Sequence, residues 1–153
     1  DFQTGARFLS DNAGDFFVNL SIAYVDDERR SDTPGDPYVT IMEQERRLRS
    51  RSYLSFSWTK NDWAAGVSTS RIGSMNFQSP RWDGKPNTKI DPYYDIGAFV
   101  RYDIEDGHYI ALSVSNLMDD IPKKNSDLGW PWFAQYYYSP VGRELFLTYR
   151  YTF

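Results

Sequence analysis

The chain has 153 residues, a formal net charge of -4 and no cysteine; aromatic residues reach 18% although the mean hydropathy is only -0.62. The missing cysteines exclude disulfides, thiolate metal sites and a Cys nucleophile, and the acidic balance excludes a general nucleic-acid surface, which needs a basic excess. No apolar run approaches the roughly 20 residues of a membrane-spanning helix, which leaves open membrane β-strands of about 9–11 alternating residues.

The opening "DFQTGARFL" has neither the basic start nor the apolar stretch of a signal peptide. It reads as a partial strand over about 1–9, either exposed by processing or met in mid-structure. Phe16, Val18, Leu20, Ile22 and Tyr24 then share one face, with Asn19, Ser21 and Ala23 on the other. Such period-two alternation is the mark of a strand with one apolar face. It recurs as Leu54, Phe56 and Trp58 against Ser55 and Ser57, and as Trp63, Ala65 and Val67 against Ala64, Gly66 and Ser68. Tyr94, Ile96, Ala98, Val100, Tyr102 and Ile104 oppose Asp95, Gly97, Arg101 and Asp103, and Ile110, Leu112 and Val114 oppose Ser113 and Ser115. The last stripe is Leu145, Leu147, Tyr149, Tyr151 and Phe153. The pattern predicts an all-β chain of about seven strands with no convincing helix. Residues 38–49, "YVTIMEQERRLR", have some helical character, but a strand entering from a charged loop accounts for them equally well.

The connections alternate in length. "SDNAGD" (10–15), "KND" (60–62) and "EDG" (105–107) carry the Asn, Asp and Gly of tight hairpin turns. Long connections at roughly 29–45, 73–91 and 117–141 lie between them, so short turns share one end of the sheet and long loops the other. Outer-membrane barrels have this layout, with short periplasmic turns and longer extracellular loops. If the last strand runs down to a periplasmic C-terminus, all three short turns are periplasmic as well. Trp58, Trp63, Tyr102, Tyr151 and Phe153 then form an inner aromatic girdle, and Tyr24, Tyr53 and Tyr94 an outer one. An odd strand count does not suit a complete single-chain barrel, so the expectation is the last part of a larger one.

"YIALSVSNLMDD" (109–120) and "YSPVGRELFLTYRYTF" (138–153) resemble the C-terminal end of TonB-dependent outer-membrane receptors. The residues that carry the resemblance are Asn116, Leu117, Met118 and Asp119, then Gly142-Arg143 and the terminal Phe153; Met118 stands where the family usually has Phe. It is strong over about the last 45 residues and rests on strand and loop rhythm upstream. The resemblance implies about the last seven strands of a transmembrane, antiparallel up-and-down β-barrel of about 22 strands with a plugged lumen. It implies an active-transport receptor: extracellular loops bind a scarce solute, and the TonB complex, working through an N-terminal region not in this sequence, drives its import. It further implies that Gly142, Tyr149, Tyr151 and Phe153 belong to a signal read by the barrel-assembly machinery. The alternatives are a complete outer-membrane barrel of about eight strands with an adhesive or structural role, and a soluble sugar-binding β-sandwich.

The candidate ligand sites lie at the long-loop end. Arg29 and Arg30 are expected to face Arg46, Arg47, Arg49 and Arg51 across the 29–45 loop. Guanidinium forks there suit lipopolysaccharide phosphates or an anionic ligand, whereas local pairing with Asp26, Asp27, Glu28, Glu43 and Glu45 is the plainer reading. Trp82, Trp130, Trp132, Phe133 and Tyr136 offer aromatic walls for a small molecule or an oligosaccharide; the plainer reading packs them on one another. His108, the single histidine, sits beside a short turn, away from the outer rim where an outer-membrane hydrolase would need it. Asp119 and Asp120 read as a solvated loop start, and Asp95, Arg101, Asp103, Glu144 and Arg150 as ion pairs lining a lumen. No Walker loop or zinc spacing occurs, so no enzyme activity, metal or cofactor is expected.

Overall fold

The computed structural model describes residues 1–40, 48–77, 88–105, 107–124, 130, 132, 133 and 137–151. The strands in chain order are β1 (Phe2–Phe8), β2 (Asp15–Tyr24), β3 (Arg29–Arg30), β4 (Val39–Thr40), β5 (Ser50–Lys60) and β6 (Trp63–Ile72). They continue with β7 (Met75–Phe77), β8 (Thr88–Ile90), β9 (Tyr93–Glu105), β10 (His108–Ser115) and β11 (Glu144–Arg150). Seven of them form one sheet in the order β1-β2-β5-β6-β9-β10-β11, antiparallel throughout. The all-β reading therefore holds, and these seven are the strands that alternation predicts. β3–β4 and β7–β8 are separate hairpins set in two of the long connections. Of the segment with mixed character, Val39–Thr40 and Ser50–Lys60 are strand, and residues 41–47 lie outside the described ones.

The short turns use the backbone freedom their residues supply. Gly14 takes a φ of 90° and donates its amide to the Ser10 carbonyl at 2.8 Å. A Cβ there would lie 2.5 Å from the Thr59 carbonyl oxygen, so no larger residue fits. Asn61, at φ 49°, turns β5 into β6, a conformation that Asn tolerates. Gly107, at φ 85°, precedes β10, and the register shifts between His108 and Tyr109. Neighbouring turns are tied to one another: Trp58 Nε1 donates to the Ala13 carbonyl at 2.7 Å, and the Lys60 ammonium to that of Asn12.

The register aligns the stripes into continuous rows. Ala6, Val18, Phe56, Val67, Ala98, Val114 and Leu145 stand side by side across all seven strands. The next row is Phe8, Phe16, Trp58, Ala65, Val100, Leu112 and Leu147. Because successive side chains alternate in direction, both rows occupy one face. The opposite face holds rows such as Gly5, Asn19, Ser55, Ser68 and Gly97. One residue departs from the expected girdle: Tyr53 pairs opposite Ser21 and Ser70, which puts it on the polar face.

No second layer covers the apolar face among the described residues. The buried side chains among these residues are Ala64, Met75, Tyr138 and Asn116, and no large side chain is fully buried. On the apolar face Leu145 is 70% and Leu147 73% exposed. The sheet is a single layer, with β1 and β11 as its two edges.

Candidate functional site

Three features of the sheet carry chemistry. The first is the apolar face. β2, β5 and β6 have 10, 11 and 10 residues, within the about 9–11 that a tilted strand needs to cross a bilayer, β9 has 13, and β1, β10 and β11 have 7, 8 and 7. Aromatic rings mark its two ends. Trp63 and Tyr102 lie side by side near the short turns with centroids 4.7 Å apart. Tyr94, near the long loops, lies opposite Arg71, whose guanidinium is 5.9 Å from its ring. The polar face holds the charges that the sequence assigns to an interior. Arg101 and Asp103 pair at 2.9 Å, whereas Asp95 and Glu144 take neutral donors, the Asn116 amide and the Ser115 hydroxyl.

The second feature is a clasp at the end of β10. Asn116 is 5% exposed and takes a φ of 47°, which turns the chain out of the sheet. Its amide donates to Asp95 Oδ1 at 3.1 Å, and its carbonyl accepts from the Asp119 amide at 2.9 Å. Its side chain accepts from the Asp120 amide at 2.9 Å and donates to the carbonyls of Asp120 at 2.8 Å and Val141 at 3.3 Å. Both amide hydrogens and the side-chain oxygen of this buried residue are thus satisfied. Asp119, at φ 57°, accepts from the Arg143 amide at 2.8 Å. A Cβ on Gly142 would lie 2.5 Å from Asp119 Oδ1. Four of the motif residues, Asn116, Asp119, Gly142 and Arg143, therefore meet in space, joining the two ends of the 117–141 connection.

The third feature is a cleft of about 390 Å³ at the long-loop end. Residues 89–93 form one wall and residues 120–124 the other, with Phe133 and Tyr138 closing it. Tyr138 is 7% exposed and packs edge-on against Tyr93 at 5.0 Å. Burial, then the nearby Asp91 carboxylate, pushes its hydroxyl above the ordinary phenol range, so it remains a proton donor. That hydroxyl is shielded from solvent and has no hydrogen-bond partner among the described residues.

The remaining sequence candidates are dispersed. Arg46, Arg47, Trp82, Tyr136 and Phe153 lie outside the described residues. Arg29 and Arg30 do not face the arginines at 49 and 51. They pair with Thr40 and Val39 in the β3–β4 hairpin, because segment 49–51 continues the main sheet beside Val25 and Ala23. Asp27 holds Arg29, and Asp32 lies 2.9 Å from Arg30. Arg49 and Arg51 are exposed, and the Arg51 guanidinium is 6.0 Å from the Tyr137 ring. Trp130 is 79% exposed, and Trp132 takes a φ of 69°. Gly142 belongs to the clasp. Tyr149 and Tyr151 flank His108: the Tyr149 hydroxyl is 3.3 Å from its Nδ1, and the Tyr151 ring lies edge-on at 4.2 Å. Sequence reasoning missed Lys89, Lys123 and Lys124, which come from two different connections with no shared spacing.

Among the described residues no cluster of His, Asp or Glu could hold a metal ion. Among the described residues no helix is long and apolar enough to cross a membrane, which says nothing of a β-barrel. Comparison with protein-family models, with curated proteins and with solved structures finds no match to this chain.

Proposed function

We propose that the chain is a wall segment of an outer-membrane β-barrel of the TonB-dependent receptor type. In this reading the apolar rows face lipid, the polar face lines the lumen, and the long connections lie outside the cell to capture solute. The single observation that carries it is the pair of wholly apolar rows running across seven strands, backed by a mixed face on which Phe17, Phe99 and Phe146 stand among Asn, Ser, Gly and charged residues. In water such a face costs about 25 cal/mol for each Å² of apolar surface, and lipid removes that cost. The resemblance of residues 109–120 and 138–153 supplies the receptor assignment.

Edge direction means that these seven strands cannot close on one another as an antiparallel barrel. Seven meandering strands leave β1 and β11 pointing the same way. Closing through antiparallel neighbours then takes an odd number of further strands between them. A lipid-facing role is tested by fluorescence in vesicles of brominated lipid. Quenching of Trp58 and Trp63 is expected; a chain that is monodisperse without detergent and unquenched would refute it. Deleting Phe153 from the full-length protein in cells is expected to lower its surface level through lost recognition by the assembly machinery. An unchanged level would remove the assembly signal from the proposal.

A further inference from the structure

We infer that the cleft between residues 89–93 and 120–124 binds a small organic anion, a phosphate or carboxylate carried on an apolar body. Its volume of about 390 Å³ lies within the range of small-molecule sites. Lys89, Lys123 and Lys124 line it, and none of them has an ion pair among the described residues. Two aspartates, Asp91 and Asp120, stand against the three lysines, so the cleft keeps a net positive charge. Ammonium groups at a partly enclosed surface are strong partners for a compact anion. Phe133 supplies an apolar ring.

The same chemistry could come from a dissolved solute or from a lipid headgroup, and its position favours the solute. Tyr93 lies opposite Ile72 on the polar face, so the cleft stands over the end of that face and away from the apolar one. The inference rests on the membrane reading only in placing the cleft on the outer side, and it narrows the solute to an anion with an apolar part.

Isothermal titration of the full chain in detergent micelles, with phenyl phosphate and with inorganic phosphate, tests it. Phenyl phosphate is expected to bind at least about tenfold more tightly than inorganic phosphate, because only it fills the apolar part of the cleft. Replacing all three lysines (Lys89→Gln, Lys123→Gln, Lys124→Gln) is expected to weaken binding by at least about tenfold, and the corresponding arginine variant to retain it. Phe133→Ala is expected to erase the preference for the phenyl compound, an arm that stands even where the glutamine variant fails to fold. No binding at about 10 mM, equal binding by a folded glutamine variant, or equal affinity for both phosphates would each overturn the assignment. So would lysine-dependent sedimentation with lipid-phosphate vesicles that phenyl phosphate does not reverse, which would make a headgroup the occupant. Micelle partition without ligand binding sinks the cleft alone; ligand binding without partition sinks the membrane reading alone.

Discussion

Asp119 Oδ1 lies 2.5 Å from the point at which a side chain on Gly142 would begin. The same oxygen accepts the Arg143 amide at 2.8 Å, so the glycine is what lets the carboxylate reach the backbone of the following residue. Gly142→Ala is expected to destabilise the β10–β11 pair by about 1–3 kcal/mol through overpacking. In a double-mutant cycle with Asp119→Ala, the two effects are expected to be less than additive, because truncating the carboxylate makes room for the methyl. Urea unfolding in micelles reads both, and strict additivity would separate the two residues.

Asn116 serves the clasp through both backbone and side chain. Asn116→Gly keeps the φ of 47° accessible but gives up the side-chain bonds to Asp120 and Val141. Asn116→Ala gives up the bonds and also strains the backbone. Both variants are expected to be less stable, alanine by about 1 kcal/mol more than glycine. Equal losses would mean that the turn geometry carries none of the requirement.

Leu147 and Thr148 are sequence neighbours on opposite faces of β11. Leu147→Arg is expected to cost about 1–3 kcal/mol of insertion free energy in lipid, while Thr148→Arg is expected to be nearly neutral because it lies on the opposite face. Folding yield into vesicles measures the pair. Equal yields would deny the sheet a lipid side.

Asp27 sets an acid limit on the β3–β4 hairpin. The Arg29 guanidinium and the Thr40 hydroxyl, both bonded to its carboxylate, hold it below the ordinary value of 3.8. A carboxyl depressed in the folded state contributes fully above its unfolded value, and loses that contribution as pH falls through the lower folded one. The protection of amides in residues 29–40, taken relative to the intrinsic exchange rate at each pH, is therefore expected to hold above pH 3.8 and to fall below it. Asp27→Asn is expected to exchange quickly throughout. Its fully exposed position makes the effect local and weakened by salt.

The seven long strands were legible because a period of two, sustained along a whole strand, matches neither the 3.6-residue repeat of a helix nor the irregular polarity of a loop. β3, β4, β7 and β8 were not, since two or three residues cannot display a period. Tyr53 was placed on the wrong face by residue type, although its odd number sets it against the even-numbered stripe of Leu54, Phe56 and Trp58. The Asn116–Asp119 and Gly142–Arg143 steps were visible as a motif, but that one grips the other depends on a chain reversal no local pattern records. The lysine cleft was hidden for the same reason: Lys89 and Lys123 belong to different connections, whose walls meet where Tyr93 packs on Tyr138 and donates its hydroxyl to the Asp120 carbonyl.

Closing the 117–141 connection at its base has a consequence for the chain above it. Register between β10 and β11 is fixed below the clasp, so changes of length between residues 124 and 137 are expected to leave it in place. Lengthening such a closed loop is thermodynamically mild, about 0.6 kcal/mol for each doubling. A foreign peptide inserted between residues 124 and 137 is then expected to be carried without disturbing the strands beneath.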